Sequence, residues 1–122
     1  MATTTTTLRI ATRGIVGVTE FVAAQVTGDI TATSGTAYAV TGNATDSSTD
    51  ITITLPMTPR QGDFIVIKNL IPDQADTANN AVLTIDRNSH LLDMRTDNIT
   101  SSTRLERWEL VYINATVGWL IL

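Results

Sequence analysis

The sequence predicts an all-β protein, either a small antiparallel β-sandwich or a jelly-roll-like barrel, with an extended N-terminal arm. β-Branched residues dominate, with threonine at 23 of the 122 positions, and such side chains favour strands because they lose χ1 freedom in a helix. In the second half of the chain, apolar and polar residues alternate with the period of a strand. After position 35, turn-forming residues recur about every ten residues, a spacing typical of sandwiches and barrels.

The first third of the chain is the least regular. We assign residues 1–35 to the N-terminal arm and the first strand or strands, and residues 36–122 to the sandwich body. Apolar residues between positions 15 and 26 fit a helical stripe and a strand equally well, and their β-branched content favours a strand or an extended arm. Residues 37–41 form a clearer strand because turn-forming residues flank them on both sides.

The segment that follows contains two predicted strands of different character. Ile51, Ile53 and Leu55 alternate with threonines, which predicts one core face and one threonine face. Residues 59–63 form a turn. The run 64–68 is then apolar on both faces, as expected for a central strand covered on each side or lying at a subunit interface.

Further strands are predicted up to the C-terminus. Residues 81–85 alternate and precede a turn, Leu91 and Leu92 begin a return strand, and the polar stretches 73–80 and 93–102 form loops. Trp108, Leu110 and Tyr112 share one face of the next strand. The segment 114–118 is a glycine-containing hairpin loop that brings residues 119–122 back alongside. The predicted core consists of Ile51, Ile53, Leu55, Ile65, Ile67, Leu83, Ile85, Leu110 and Tyr112.

The composition bears on several classes of function. The formal charge of −4 argues against nucleic-acid binding because the molecule offers no basic field to a phosphate backbone. The absence of cysteine excludes disulfides, thiolate metal sites and cysteine nucleophiles. The sequence contains neither a secretory signal pattern nor a run of about 18 apolar residues, so we expect a soluble, unexported protein without a membrane partner.

Few residues suggest a catalytic or metal-binding site. His90 is the single histidine, and with Asp86 and Asp93 it could supply nitrogen and oxygen ligands to a metal, although a solvated turn is the favoured interpretation. The carboxylate pairs Glu106 with Glu109 and Asp93 with Asp97 are interpreted as surface charges. We therefore predict no enzyme activity, no catalytic residue, no metal and no cofactor.

The aromatic residues near the C-terminus have two interpretations. Trp108 and Trp119, together with Tyr112, would form a sugar-stacking platform if they were exposed on one surface. Packing in the core is favoured, since alternating strand positions beside Leu110 are where a sandwich needs bulky side chains.

The strand and turn positions also resemble a known group of proteins. The segments DITITLP (residues 50–56), GDFIVIKN (62–69), LTID (83–86), WELVY (108–112) and GWL (118–120) resemble small β-sandwich domains of tailed-bacteriophage virion proteins. The resemblance covers about the last two-thirds of the chain and consists of strand and turn positions rather than catalytic motifs.

This resemblance implies a capsid decoration (cement) protein on the outer surface of the virion, made in the host cytoplasm. Its partner would be the major capsid protein, and it would form a homotrimer. The alternative is a tail or head fibre, or a receptor- or carbohydrate-binding module. Decoration is favoured because the sequence contains no long repetitive shaft and no coiled-coil heptads.

Decoration proteins of this kind pair an N-terminal arm on the capsid with a trimerising body, which implies two sets of site residues. Arg9 and Arg13 are the only charged residues before Glu20 and would pair with capsid carboxylates. The whole capsid-binding set is Leu8, Arg9, Ile10, Arg13, Ile15 and Val16. The set expected in the body core or in trimer packing is Ile53, Ile65, Ile67, Trp108, Leu110, Tyr112 and Trp119.

Overall fold

The computed structural model describes residues 5–10, 19–42, 49–74 and 80–122, with side chains from residue 22 onward. Within these ranges all the secondary-structure elements are β-strands. The ten strands are β1 Thr5–Ile10, β2 Thr19–Val26, β3 Ile30–Thr31, β4 Thr36–Val40, β5 Ile51–Thr54, β6 Phe64–Asn69, β7 Leu83–Asp86, β8 Ile99–Ser101, β9 Arg107–Asn114 and β10 Gly118–Ile121. The all-β prediction is confirmed for the described residues.

The strands form two sheets. The large sheet has the order β1-β2-β4-β6-β9-β10, and the small sheet has the order β3-β5-β7-β8. The pairs β2/β4, β4/β6, β3/β5 and β5/β7 are parallel, whereas β1/β2, β6/β9, β9/β10 and β7/β8 are antiparallel. Both sheets are therefore mixed, so the prediction that the strands pair antiparallel is wrong, whereas two sheets around one core are consistent with a small β-sandwich.

The parallel pairing follows from the path of the chain. From β2 to β7, successive strands alternate between the large and the small sheet, so each sheet receives every second strand in the same direction. A parallel neighbour requires such a crossover, because a tight hairpin can only join antiparallel strands. The chain thus winds through about three turns of a coil, and antiparallel strands complete each sheet.

The two sheets share one hydrophobic core. All nine residues predicted for the core are at most 7 % exposed, and Trp119 is completely buried. Trp108 is half-buried and packs against the same cluster. Val26 and Ala32 also belong to this cluster, so the end of β2 and the segment after β3 are continuous with the body.

The small sheet carries a row of isoleucines across its four strands. Ile30 lies beside Ile53, Ile53 beside Ile85, and Ile85 beside Ile99. Ile53 and Ile85 are fully buried, and Ile30 and Ile99 pack against the core from the two edges. β-Branched side chains stack well on a pleated surface, so this row holds the four strands in register.

The structure corrects two local predictions. The stretch 93–102 is not entirely a loop, since Ile99 to Ser101 form β8. Leu91 and Leu92 do not begin a strand; Leu92 is buried and makes isolated bridges to Arg95 and Trp119. A three-residue strand among polar residues has too short an alternation to stand out in sequence.

Gly118 closes the predicted C-terminal hairpin. The Oδ1 atom of Asn114 accepts hydrogen bonds from the amides of Thr116 and Val117, each at 2.9 Å. Gly118 then adopts a φ of 76°, and a Cβ atom there would lie 2.0 Å from the carbonyl oxygen of Leu91. Only glycine fits this position, because both the backbone angle and the neighbouring chain exclude a side chain.

We expect Ile53→Ala to lower the free energy of unfolding by about 2–5 kcal/mol, because it leaves a cavity in the row of isoleucines. Thr52→Ala on the outer face of the same strand serves as the control and should change stability by less than about 1 kcal/mol. Urea denaturation measures both. Equal losses for the two variants would contradict the assignment of inner and outer faces.

A second comparison separates backbone strain from steric clash. Gly62 also has a positive φ, of 88°, but a Cβ atom there would meet nothing within 4 Å. Gly62→Ala should therefore destabilise the fold by about 1–2 kcal/mol, through the backbone angle alone. Gly118→Ala should be clearly more destabilising in thermal and urea unfolding, and a similar loss for both variants would show that Leu91 moves away freely.

Candidate functional site

The proposed capsid-binding residues fall partly within the described chain. Leu8, Arg9 and Ile10 lie in β1, where they are opposite Phe21, Glu20 and Thr19 of β2. The other three, Arg13, Ile15 and Val16, lie outside the described residues. The first three therefore belong to a strand that is paired with the body.

The first candidate site is the free edge of the large sheet at β1. This strand ends the sheet, with β2 as its single strand neighbour among the described residues. It is six residues long. An edge strand presents unpaired backbone N–H and C=O groups, which can accept a strand from another protein.

The opposite edge of the large sheet is covered by the segment 91–94. The amide of Trp119 donates to the carbonyl oxygen of Leu91 at 2.8 Å, and the amide of Asp93 donates to the carbonyl oxygen of Trp119 at 2.7 Å. The amide of Ile121 donates to Oδ1 of Asp93 at 2.9 Å. These bonds occupy backbone groups of β10 that would otherwise pair with another chain.

The small sheet offers little free edge. Its outer strands β3 and β8 contain two and three residues. Edges this short expose few backbone groups to a partner. Within the described part of the chain, β1 is therefore the longest strand edge without a covering segment.

The aromatic residues do not form an exposed platform. Trp119 is completely buried, and Tyr112 is 7 % exposed. The Tyr112 ring makes edge-to-face contacts with Trp119 at 5.4 Å and with His90 at 5.7 Å between ring centroids. The sugar-stacking interpretation is wrong for Trp119, because these rings are packed together in the interior.

The three possible metal ligands, Asp86, His90 and Asp93, each interact with a different backbone group. Asp86 accepts the amide of Asn88 at 2.8 Å, His90 Nε2 lies 2.7 Å from the carbonyl oxygen of Met57, and Asp93 accepts the amide of Ile121. Among the described residues, no three acidic, histidine or cysteine side chains are grouped as metal ligands. Each of the three side chains thus stabilises its own turn or strand edge.

The carboxylates near β9 also have structural partners. Glu106 accepts a hydrogen bond from the hydroxyl of Ser101. Glu109 forms a salt bridge with Arg107, two residues away on the same face of β9. In this structure both carboxylates bind neighbouring side chains.

The second candidate site is a groove on the outer face of the large sheet. Its floor is formed by the small or short side chains of Ala23 in β2, Ala37 and Ala39 in β4, and Val66 in β6. The other lining residues are Ala24, Gln25, Tyr38, Lys68, Leu70 and Arg107. The groove is open to solvent and has a volume of about 620 Å³.

The sequence indicated only the part of this groove that β6 contributes. The apolar run in β6 predicted that both of its faces would be covered or would lie at an interface. The alanines of β2 and β4 gave no such signal, because their importance depends on the parallel pairing that sets Ala23 beside Ala37 and Ala37 beside Val66.

The outer face of the small sheet has a different character. Thr52, Thr84 and Thr100 lie side by side on three neighbouring strands, and Thr31 lies beside Thr54. This face is the threonine face predicted from the alternation. Its hydroxyls make it polar, whereas the groove in the large sheet is mainly apolar.

Asn69 holds the loop beside the groove. It is 1 % exposed, its side chain donates to the carbonyl oxygen of Thr103 at 3.2 Å, and its Oδ1 accepts the amide of Ile71 at 3.0 Å. Its backbone amide donates a hydrogen bond to the carbonyl oxygen of Glu106, and its carbonyl oxygen accepts one from the amide of Leu105. These bonds hold Leu105 at a φ of 76° with an exposed side chain.

Comparisons with known proteins do not assign the chain to a family. No protein-family description matches it, and no curated protein matches it significantly.

Across the described ranges, no helix has the length and apolar character needed to cross a membrane.

We expect Asn69→Ala to lower stability by about 1–3 kcal/mol, because the buried amide of Ile71 loses its acceptor. Hydrogen exchange should accelerate at Ile71 and in the loop 102–106. Asn114→Ala is the matched control, since Asn114 also accepts two amides but is exposed to water, and its loss should be smaller. A larger loss for Asn114→Ala would contradict the assigned role of Asn69.

Proposed function

We propose that this protein is a capsid decoration (cement) protein of a tailed bacteriophage. It binds the outer surface of the major capsid protein as a homotrimer and stabilises the assembled shell. Binding only the assembled lattice stabilises that lattice by mass action, and three copies of a contact on one trimer add avidity. The protein acts by binding and performs no catalysis.

The position of β1 supports this proposal. The N-terminal strand, which includes Leu8, Arg9 and Ile10, lies at an edge of the large sheet that no described segment covers, while the opposite edge is covered by residues 91–94. A capsid protein strand could extend the sheet at β1. Arg9 and Arg13 would add contacts to capsid carboxylates in an otherwise acidic chain.

A fibre module is the second candidate, and the winding of the chain favours it. The parallel strands β2, β4 and β6 stack in register, as do β3, β5 and β7. Such stacking can be lengthened turn by turn into a shaft. Immunogold labelling of virions separates the candidates, because a decoration protein labels the whole capsid surface and a fibre labels projections from it.

The truncation of residues 2–10 tests the capsid contact. We expect it to abolish co-sedimentation with shells of the major capsid protein encoded in the same genome. Sedimentation velocity should still show a folded trimer, because the described core begins at β2. Unchanged occupancy of the shells would overturn the proposed role of the N-terminal segment.

Charge reversal tests the same contact without removing a strand. Arg13→Glu should weaken shell binding, and the difference from the wild type should shrink at high salt because ionic contacts are screened. Arg9 is left unchanged because it lies opposite Glu20, where a second carboxylate would weaken the pairing of β1 with β2. Arg60→Glu, in the exposed turn before β6, is the control and should leave binding unchanged. Equal weakening by the control would point to net charge rather than to a specific contact.

A further inference from the structure

The groove in the large sheet combines an apolar floor with positive charge at one end. Lys68 of β6 and Arg107 of β9 are direct cross-strand neighbours, and both line the groove. Two like charges in such positions destabilise a sheet unless an anion lies close to them. The groove therefore has an electrostatic preference for negative charge at this end.

The neutralisation of these two cations is incomplete. Arg107 forms a salt bridge with Glu109, but Lys68 is exposed and forms no ion pair with any described residue. Among the described residues, these two neighbouring cations therefore have one ion-pair partner, Glu109. The local positive charge contrasts with the formal charge of the chain, which is −4. A ligand with its own carboxylate would neutralise the charge of Lys68.

The size of the groove indicates what kind of ligand fits it. With strands about 4.8 Å apart and about 3.3 Å per residue, the part of the face over β2, β4, β6 and β9 covers on the order of 250 Å². A stable protein interface buries about 800 Å² on each partner. The groove is thus too small to hold a second copy of the chain by itself, but it accommodates a short extended peptide.

The alanine floor suits a peptide in extended conformation. Ala23, Ala37 and Ala39 leave room for another backbone to approach the sheet, and Val66 adds apolar contact area. Lys68 and Arg107 lie where an acidic side chain or a terminal carboxylate of such a peptide would reach.

We propose that this groove is a binding site for a short extended peptide of a partner protein, with small apolar side chains on the alanine floor and a carboxylate between Lys68 and Arg107. The groove begins at β2, which is the strand neighbour of β1, and the proposal does not depend on the proposed capsid function. It would give the protein a second contact with a chain different from the one at its sheet edge.

The probe is an acetylated six-residue peptide of alternating alanine and valine that ends in two glutamates. In an NMR titration of the ¹⁵N-labelled full chain, we expect shifts concentrated at Ala37, Ala39, Val66 and Lys68. The same peptide with two glutamines and an amidated end should bind about tenfold or more weakly, since a charged hydrogen bond exceeds a neutral one by about 1.4 kcal/mol.

A charge swap makes the test specific. Lys68→Glu should weaken binding of the glutamate peptide, and a peptide with two lysines should bind this variant better than it binds the wild type. Arg95→Glu, an exposed charge outside the groove lining, is the control and should bind the glutamate peptide like the wild type.

Three outcomes would overturn the proposal. They are the absence of shifts at the groove with millimolar peptide, equal binding of the glutamate and glutamine peptides, and an altered oligomeric mass of Lys68→Glu in sedimentation. The last outcome would identify the groove as a contact between copies of the chain. None of them bears on shell binding through the N-terminal segment, which is measured separately.

Discussion

The packing of β-branched and other apolar side chains between two sheets is the constraint on which the remaining structure depends. Ile53, Ile65, Ile67 and Ile85 are fully buried and come from strands of both sheets. A change of register by one residue would turn these side chains to solvent, so the core fixes the register of the strands that contribute to it. The isoleucine row of the small sheet extends this control to the short strands β3 and β8.

The same constraint determines which surfaces remain available for binding. Once the inward-facing positions are buried, the outward-facing positions form two unlike faces, one of threonine and one of alanine and valine. The core also brings Trp119 inward, so the C-terminal strand is covered by residues 91–94. Among the described residues, the free edge of the large sheet is therefore at β1, and the groove lies on the same sheet.

Asn69 shows how one polar residue can be kept in this core. It occupies an inward-facing position of β6, next to Ile67 in the alternation, and its side chain satisfies two backbone groups outside the strand. A buried amide is stable only when its donors and acceptors have partners. The resulting bonds hold the loop 102–106 close to the cationic end of the groove, where the chain passes from β8 to β9.

The strands, their inner faces and the core residues of the second half could be predicted because alternation depends only on local order along the chain. Ile51, Ile53 and Leu55 face inward whether the neighbouring strand is parallel or antiparallel. The C-terminal hairpin was equally predictable, since its turn residues act on adjacent positions. The three residues of β8 were too few to give such a signal.

The direction of pairing, the coil and the groove were decided by tertiary structure alone. Val22, Thr36 and Ile65 occupy matching positions in the large sheet but are separated by 14 and 29 residues, so the coil leaves no regular repeat in the sequence. The groove joins Ala23, Ala37, Val66 and Arg107 across four strands. Such a site exists only after folding, because its chemistry belongs to the arrangement of the strands and to no single segment of the chain.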